Sequence, residues 1–154
     1  MSKKIILIAG PTASGKSKLA IQIAKKIKGE IINADSMQVY KEFSILSSRP
    51  SHTDLRKVKH HLYGFQSVKK HFSTGIWLKL VKKQITQCLK NKKIPILVGG
   101  TGLYFESIIK GISKIPNIDL KSRNKIRSLQ KKLGQKKFYA KLLVLDPLTK
   151  SKIE

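Results

Sequence analysis

The chain has 154 residues, 40% of them hydrophobic, and it carries 33 Lys and Arg against 8 Asp and Glu, a formal charge of +25. This length and composition suit a globular protein with an apolar core and exclude a compositionally disordered chain. No apolar run approaches the ~20 residues of a membrane-spanning helix. A single cysteine excludes a disulfide framework.

The excess of basic residues has two interpretations. A strongly positive surface attracts polyanions, and nucleic acid is the leading candidate. Most of these residues are Lys, however, and Ile is abundant too, as an AT-rich genome would produce. The charge therefore supports an RNA partner without establishing one. The apolar start at 5–8 is too short for a secretory signal, so we expect a cytoplasmic protein without a membrane partner.

The first 110 residues alternate between strand and helix patterns. Short apolar runs predict the strands, and apolar residues that recur every three or four positions predict the helices. In chain order, the predicted elements are a strand at 5–9 buried on both faces, a helix at 16–28, a strand at 30–34, a short strand near 62–65, a helix at 74–91, a strand at 94–98 and a short helix ending near 111. This alternation predicts an α/β fold with a parallel sheet.

A few residues define the ends and faces of these helices. Leu19, Ile23 and Ile27 are expected to form the buried face of the first helix, and Gly29 its end. Ser73 is the expected N-cap of the helix at 74–91.

Four further residues are expected to pack in the core or along helices rather than to bind a ligand. They are Trp77, Cys88, Tyr104 and Phe105.

The character of the chain changes after Gly111. A basic helix is predicted over 121–133, with Gly134 at its end and another helix beyond it. The pair Asp146-Pro147 has the pattern of a further helix start, with only seven residues after the proline. We therefore expect the chain to be truncated relative to a longer fold. The predicted domains are a diphosphate-binding core at 1–110 and an incomplete, basic helical insertion at 111–154.

The segment between the first strand and the first helix has the spacing of a phosphate-binding loop. Its glycines let successive backbone amides point into one cavity, and the helix that follows adds its positive N-terminal end. The lysine brings a full charge to phosphate oxygens, and the last hydroxyl is placed to bind Mg²⁺. The eight residues are Gly10, Pro11, Thr12, Ala13, Ser14, Gly15, Lys16 and Ser17.

Asp35 follows the second strand. Ligands of open parallel sheets bind outside the carboxyl ends of the strands, so Asp35 and the phosphate loop are expected to share one crevice. A carboxylate there could contact a metal-bound water or act as a general base, or it could simply cap a turn. Gln38, three residues on, could bind an adenine edge or be an ordinary surface residue.

A second glycine turn, at 99–102, follows the third clear strand. Its amides and the Thr101 hydroxyl could donate to a phosphate, or the segment could be an ordinary strand-to-helix turn. No acid follows Val98, so the usual second metal ligand of ATPases is missing there, which weakens an ATPase interpretation.

The remaining polar residues give weaker signals. The four histidines lack the spacing of a metal site, so structural or exposed positions are expected. Arg123 and Arg127, on the basic helix, are either solvated or in contact with a partner. The histidines are His52, His60, His61 and His71.

Three segments together resemble the tRNA dimethylallyltransferase family. They are GPTASGKS at 10–17, NADSMQVY at 33–40 and ILVGGTGLY at 96–104. The resemblance extends over essentially all of the chain and implies a P-loop NTPase-like core with a helical insertion. One departure is Leu46, where the family usually has glycine.

The resemblance also implies an activity. It is the transfer of a dimethylallyl group from dimethylallyl diphosphate to N6 of the adenine beside the tRNA anticodon, with Mg²⁺ as cofactor. By the same resemblance the phosphate loop holds the diphosphate, Ser17 binds the metal, Asp35 is the general base and Thr101 lies near the reacting centre. A monomer is expected. The residues matching tRNA-contacting positions of the family are Asp35, Ser36, Met37, Gln38, Thr101 and Arg123.

Two other functions remain open from the sequence. A small-molecule kinase would share the phosphate loop and the acid after the second strand, and would bind ATP. An inactive remnant would bind RNA through charge alone, with a steep dependence on salt.

Overall fold

The computed structural model describes residues 4–113 and 118–148. Within them the chain forms four strands and five helices. They are β1 (Ile6–Ala9), α1 (Lys16–Ile27), β2 (Gly29–Asn33), α2 (His52–Lys57), β3 (His60–His61), α3 (Thr74–Lys90), β4 (Ile94–Gly99), α4 (Gly102–Lys110) and α5 (Leu120–Leu145).

The four strands form one parallel sheet in the order β1-β4-β2-β3. The central pair is in register over five residues, with Gly29 opposite Ile94 and Asn33 opposite Val98. Because every strand runs the same way, the loops after β1, β2 and β4 all leave from one edge. The prediction of an α/β fold with a parallel sheet is confirmed.

Helices cover both faces of the sheet and enclose two apolar clusters. One lies between the sheet and α1, and the other between the sheet, α3 and α4. The buried residues of the α1 cluster are Ala20, Ile21, Ala24, Ile31, Ile96 and Val98. Those of the α3–α4 cluster are Ile32, Ala34, Trp77, Val81, Ile85, Cys88, Leu97, Tyr104 and Phe105. The core positions predicted for Trp77, Cys88, Tyr104 and Phe105 are confirmed.

Strand β1 is not buried on both faces, contrary to the sequence prediction. It lies at the edge of the sheet, and its side chains alternate between half-buried and exposed. Ile6 and Ile8 pack against the α1 cluster, whereas Leu7 is 37% exposed. An all-apolar run therefore does not by itself distinguish an edge strand from a central one.

The buried face of α1 also differs from the prediction. Leu19 is exposed and Ile23 and Ile27 are only partly buried, because the face that meets the sheet centres on the fully buried residues Ala20 and Ala24. Two small residues allow the helix axis to approach the strands closely.

Gly29 does not end α1. Lys28 takes the left-handed C-cap conformation, with φ 53°, and Gly29 is the first residue of β2. A Cβ there would lie 2.8 Å from Ile96 Cδ1, so glycine is needed for close packing against β4.

Two features between 36 and 72 were not predicted correctly. The short strand lies at β3 rather than near 62–65, and the helix α2 was missed. Ser51 caps α2, because its side chain accepts the backbone N–H of Asp54. By contrast, the predicted helix at 74–91 corresponds to α3, and its N-cap Ser73 is confirmed, accepting the backbone N–H of Ile76.

The chain divides into two compact units, Met1–Ile112 and Ser113–Glu154. In the second unit, α5 is interrupted at Gly134, whose φ of 72° and ψ of 164° are not helical, so the predicted helix end is confirmed there. Asp146 is the C-cap of α5 rather than the N-cap of a new helix. The assignment of a core and an incomplete helical insertion stays a prediction. None of the described helices is long and apolar enough to cross a membrane.

Candidate functional site

A cavity of about 330 Å³ opens at the carboxyl edge of the sheet. It brings together the phosphate loop, the turn after β2, part of the loop at 43–49 and the end of β4. Its lining residues are Thr12, Ala13, Ser14, Gly15, Lys16, Ser17, Lys18, Asp35, Gln38, Ser47, Ser48, Tyr63, Val98 and Gly99. The structure thus places the phosphate loop and Asp35 in one crevice, as the strand pattern predicted.

The phosphate loop curls tightly between β1 and α1. Two of its residues adopt left-handed conformations, Ala13 with φ 64° and Gly15 with φ 81°. Gly15 occupies the N-cap position of α1 and offers no side chain there, so the first amides of the helix are not capped by that side chain. This leaves the positive end of α1 directed at the cavity, which suits an anionic ligand.

Lys16, the first residue of α1, folds back over this loop. Its ammonium group donates to the carbonyl of Pro11 and lies 3.4 Å from the Ser14 hydroxyl. The charge of Lys16 is therefore held beside the loop rather than extended into solvent. A bound anion here would meet one full positive charge together with the amides of the loop.

Asp35 lines the same cavity and is held by a tight turn. Its Oδ1 accepts the backbone N–H of Met37 at 2.9 Å. Its Oδ2 lies near Gly100. A Cβ placed on this glycine would be 3.8 Å from Asp35 Oδ2 and 3.3 Å from the carbonyl oxygen of Gly10. The backbone of Gly100 therefore lies between the Asp35 carboxylate and Gly10, the first residue of the phosphate loop.

Thr101 fixes the turn after β2 from the β4 side. Its Oγ1 accepts the backbone N–H of Ser36 at 2.9 Å and donates to the Ser36 hydroxyl at 3.3 Å. The hydroxyl makes no cap bond to the first turn of α4. In this structure the side chain of Thr101 therefore holds the Asp35–Ser36 backbone.

Gln38 and the loop that follows it form another wall. Its Nε2 donates to the carbonyl of Ser47 at 2.9 Å, which ties the loop to the turn after β2. Arg49, at the end of the loop, donates to the carbonyl of Tyr40 and packs on Gly64 so closely that a Cβ there would lie 1.5 Å from Nη1.

Tyr63 was not predicted, although it lines the cavity. Burial, together with the negative charge of Asp35, raises the pKa of the Tyr63 hydroxyl, so this group is neutral and able to donate at physiological pH. Ser47 and Ser48 were also missed, because the region around them lacks strand or helix periodicity. The signal that could have found Tyr63 is its position two residues after β3, because residues that follow parallel strands meet at the carboxyl edge of the sheet.

The histidines do not take part in the crevice. His52 and His71 are exposed, whereas His60 and His61 form β3 and are half-buried. His61 Nε2 lies 2.6 Å from Glu30 Oε2, and its Nδ1 accepts from the Gln84 amide at 2.8 Å. The structural or exposed positions expected for the histidines agree with this arrangement.

Cys88 completes a network with Glu30 and His61. Its thiol lies 3.5 Å from the same carboxylate oxygen, and burial raises the pKa of Cys88 to about 12. Ligand atoms of these three residues lie within 4.8 Å of one another, a spacing compatible with a metal ion. Each of them, however, already has a hydrogen-bond partner within the cluster, so hydrogen bonding accounts for the arrangement.

The other predicted site residues are placed as follows. Met37 is 51% exposed beside the crevice, and Ser36 is half-buried under Thr101. Arg123 and Arg127 are both exposed on α5, in the second unit.

The donor set at the cavity fits Mg²⁺. Ser17 supplies a hydroxyl oxygen and Asp35 a carboxylate, and hard oxygen atoms of these kinds are the ligands that this ion prefers. Ser17 is therefore the residue that would hold the ion, and the Asp35 carboxylate could reach it through a metal-bound water.

Comparison with known proteins identifies the family. Residues 38–154 match a protein family that is described as IPP transferase. The chain is 64% identical over 151 residues to a tRNA dimethylallyltransferase of Pelagibacter ubique, covering 98% of this chain and 48% of that protein. It is 47% identical over 146 residues to one of Ehrlichia canis, covering 95% and 48%. The chain thus spans about half the length of these relatives.

Solved structures agree with this assignment. A eukaryotic dimethylallyltransferase acting on tRNA superposes with a TM-score of 0.84 at 30% identity, covering 99% of this chain and 38% of that one. The full-length tRNA isopentenylpyrophosphate transferase of Bacillus halodurans gives 0.72 at 31% identity, covering 99% and 51%. The predicted P-loop NTPase-like core is confirmed. With a family match over most of its length, the chain belongs to the IPP transferase family.

Proposed function

We propose that this chain forms the diphosphate-binding and base-activating part of a tRNA dimethylallyltransferase. The reaction is the transfer of a dimethylallyl group from dimethylallyl diphosphate to N6 of the adenine adjacent to the anticodon, at position 37. The observation that carries the proposal is the single cavity in which the phosphate loop faces Asp35. The names of the related proteins support both substrates.

The arrangement suits a displacement at carbon. The N6 lone pair of adenine forms a bond to C1 of the dimethylallyl group while the bond from C1 to the diphosphate oxygen breaks, and the leaving diphosphate takes that electron pair. Lys16 and the amides at the start of α1 stabilise the negative charge that gathers on the diphosphate. Asp35 accepts the proton that N6 loses, acting as the general base.

Mg²⁺ is the proposed cofactor. Held by Ser17, it would supply further positive charge for the diphosphate oxygens, while Asp35 stays free to accept the proton. The protein groups bind and orient the leaving group in the same place, because the loop recognises phosphate oxygens whatever they are attached to.

The target adenine has to leave its stack to reach Asp35, since its amine is otherwise buried in the anticodon loop. Ser36, Met37 and Gln38 follow Asp35 directly and are proposed to contact the extruded base, with Thr101 beside them. Arg123 is proposed as a further tRNA contact. We also propose that the protein acts as a cytoplasmic monomer.

The test uses the protein extended at its C-terminus to the length of its relatives. Incubated with dimethylallyl diphosphate and tRNA, it should give dimethylallyladenosine at position 37, detected by mass spectrometry of the digested tRNA. Asp35→Asn should lower kcat by roughly 10²–10⁴-fold, the usual contribution of a general base. Binding of inorganic diphosphate, measured by calorimetry, should persist in this variant.

Asp54→Asn is the matched control, because Asp54 lies on α2 and pairs with Lys57 at the protein surface. It should transfer at the wild-type rate. If the protein does not react with dimethylallyl diphosphate but turns over ATP, the proposal is wrong and the protein is a small-molecule kinase. The absence of an acid after Val98 already argues against that alternative.

A further inference from the structure

Asn33 is a fully buried polar residue that stands two positions before the proposed general base. It is the last residue of β2 and has no exposed surface. Burying an amide is unfavourable unless its hydrogen-bonding groups are satisfied, so the partners of this side chain indicate why it is there.

The side chain of Asn33 closes a ring on the backbone of Asp35. Its Oδ1 accepts the backbone N–H of Asp35 at 2.9 Å, and its Nδ2 donates to the backbone carbonyl of the same residue, also at 2.9 Å. Both backbone polar groups of Asp35 are thus bound by one amide. The ring fixes the peptide planes on either side of Asp35, and with them the direction in which its Cα–Cβ bond points.

The second N–H of the same amide ties this ring to the neighbouring strand. Nδ2 donates to the carbonyl of Leu62 at 3.0 Å, just beyond β3. Leu62 has φ 62°, a conformation that a leucine rarely adopts. The amide therefore bridges two chain segments at the point where β2 and β3 end and their ladder hydrogen bonds stop.

The main chain of Asn33 is anchored as well. Its carbonyl accepts the indole N–H of Trp77 at 3.0 Å, and Trp77 stacks on Tyr104 with ring centroids 4.0 Å apart. The main chain of Asn33 is thus anchored to α3 through Trp77, which stacks on Tyr104 of α4, while its side chain holds the backbone of Asp35.

We infer that Asn33 is a positioning residue for Asp35, and this inference rests on the proposed function. An amide suits the position because it offers two donors and one acceptor in a planar group. Aspartate has the same shape but cannot donate to the two carbonyls, and leucine can neither donate nor accept. A small displacement of a catalytic group is enough to lower the rate strongly while substrate binding is retained.

The test compares Asn33→Leu and Asn33→Asp in the protein extended to the length of its relatives. Both should lower kcat, by an amount on the order of 10²-fold, while KM for dimethylallyl diphosphate stays at the wild-type value. Gln84→Leu is the matched control, since it removes a half-buried amide that bonds His61 rather than Asp35. Wild-type kcat in both Asn33 variants would overturn the inference, as would a parallel rise in KM and loss of diphosphate binding, which indicates general unfolding of the site.

A second measurement is independent of activity. Hydrogen exchange followed by NMR should show faster exchange of the Asp35 N–H in Asn33→Leu, with unchanged protection in β4. Asn33→Asp keeps an acceptor and should keep that N–H protected. If the wild-type protein transfers no dimethylallyl group, the proposed function fails, whereas unchanged Asp35 exchange in Asn33→Leu contradicts the positioning role itself.

Discussion

The buried carboxylate of Glu30 lies near the start of β2, at the end of the strand away from the crevice. Its residue exposure is 7%, and burial by itself would raise its pKa. Hydrogen bonds from His61 and Cys88 and the positive charge nearby outweigh burial and hold the pKa of Glu30 below its ordinary value of 4.5. A folded-state pKa below the unfolded one means that the unfolded chain binds protons first on acidification. The contribution to stability is therefore complete above the unfolded pKa and is lost as pH falls through the folded one.

Replacing Glu30 with glutamine tests this argument. Because the neutral amide cannot hold His61 and Cys88 as the carboxylate does, we expect Glu30→Gln to lower the free energy of unfolding at pH 7 by about 1–3 kcal/mol. The difference from wild type should begin to shrink as pH falls below 4.5, where the carboxyl of the unfolded chain takes up a proton, and it should disappear as pH falls through the lower pKa of the folded state. Urea unfolding followed by circular dichroism at several pH values measures it.

Glu106→Gln serves as the control for that experiment. Glu106 pairs with Lys110 on the exposed side of α4, where an ion pair contributes little. It should unfold like wild type at every pH. A pH-independent difference between wild type and Glu30→Gln would show that the charge of Glu30 plays no part.

At the scale of elements, the crevice depends on how closely the turn after β2 approaches the end of β4. Ala34 donates to the carbonyl of Val98, and Thr101 donates back to the carbonyl of Ala34. Gly99 lies between these bonds, and a Cβ on it would stand 2.0 Å from the Ala34 oxygen. No side chain fits at that distance, so the contact between the two segments requires glycine at position 99.

Gly99→Ala and Gly102→Ala form a matched pair within one turn. The first must push the backbone of β2 away from β4, and we expect it to lower the free energy of unfolding by about 2 kcal/mol or more. The second adds a Cβ that meets nothing within 4 Å at the first position of α4, where alanine favours the helix. Thermal unfolding of both variants measures the difference, and equal melting temperatures would contradict the close approach.

At the scale of the whole molecule, the formal charge of +25 is the dominant feature. Lysines that merely reflect base composition and lysines that contact RNA have the same charge, so the charge count cannot distinguish them. They differ in salt dependence, because each phosphate contact releases bound counterions when it forms.

We expect the exposed lysines to give the binding of single-stranded RNA by the 154-residue chain a component that falls steeply with salt. Each contact should contribute a slope of about 0.7 in a plot of log affinity against log salt. Changing Lys131, Lys132, Lys136 and Lys137, which are exposed on α5, to glutamine should reduce that slope. Fluorescence anisotropy across a salt series is the measurement. An RNA affinity that changes neither with salt nor with these substitutions would show that α5 makes no phosphate contacts.

Much of the site was accessible from the sequence because its signals are local. The phosphate loop is a run of eight residues whose glycines and lysine have their function within the run, and Asp35 follows an apolar strand directly. Parallel strands bring such neighbours to one edge of the sheet, so their meeting could be predicted. Tyr63 and the serines at 47 and 48 could not, since no periodic pattern marks them. The role of Asn33 could not either: its bond partner Asp35 is near in sequence, but its burial and its bonds to Leu62 and Trp77 come from distant segments.

The sequence by itself determined the α/β alternation and the phosphate loop, because these depend on local spacing, and three motif segments indicated the family through their resemblance to it. Only the tertiary structure decided that β1 lies at an edge, that Gly29 and Gly99 allow strands to approach, and that a buried amide holds Asp35. These features depend on which segments become neighbours in the folded chain, and short-range sequence patterns do not specify contacts between distant segments.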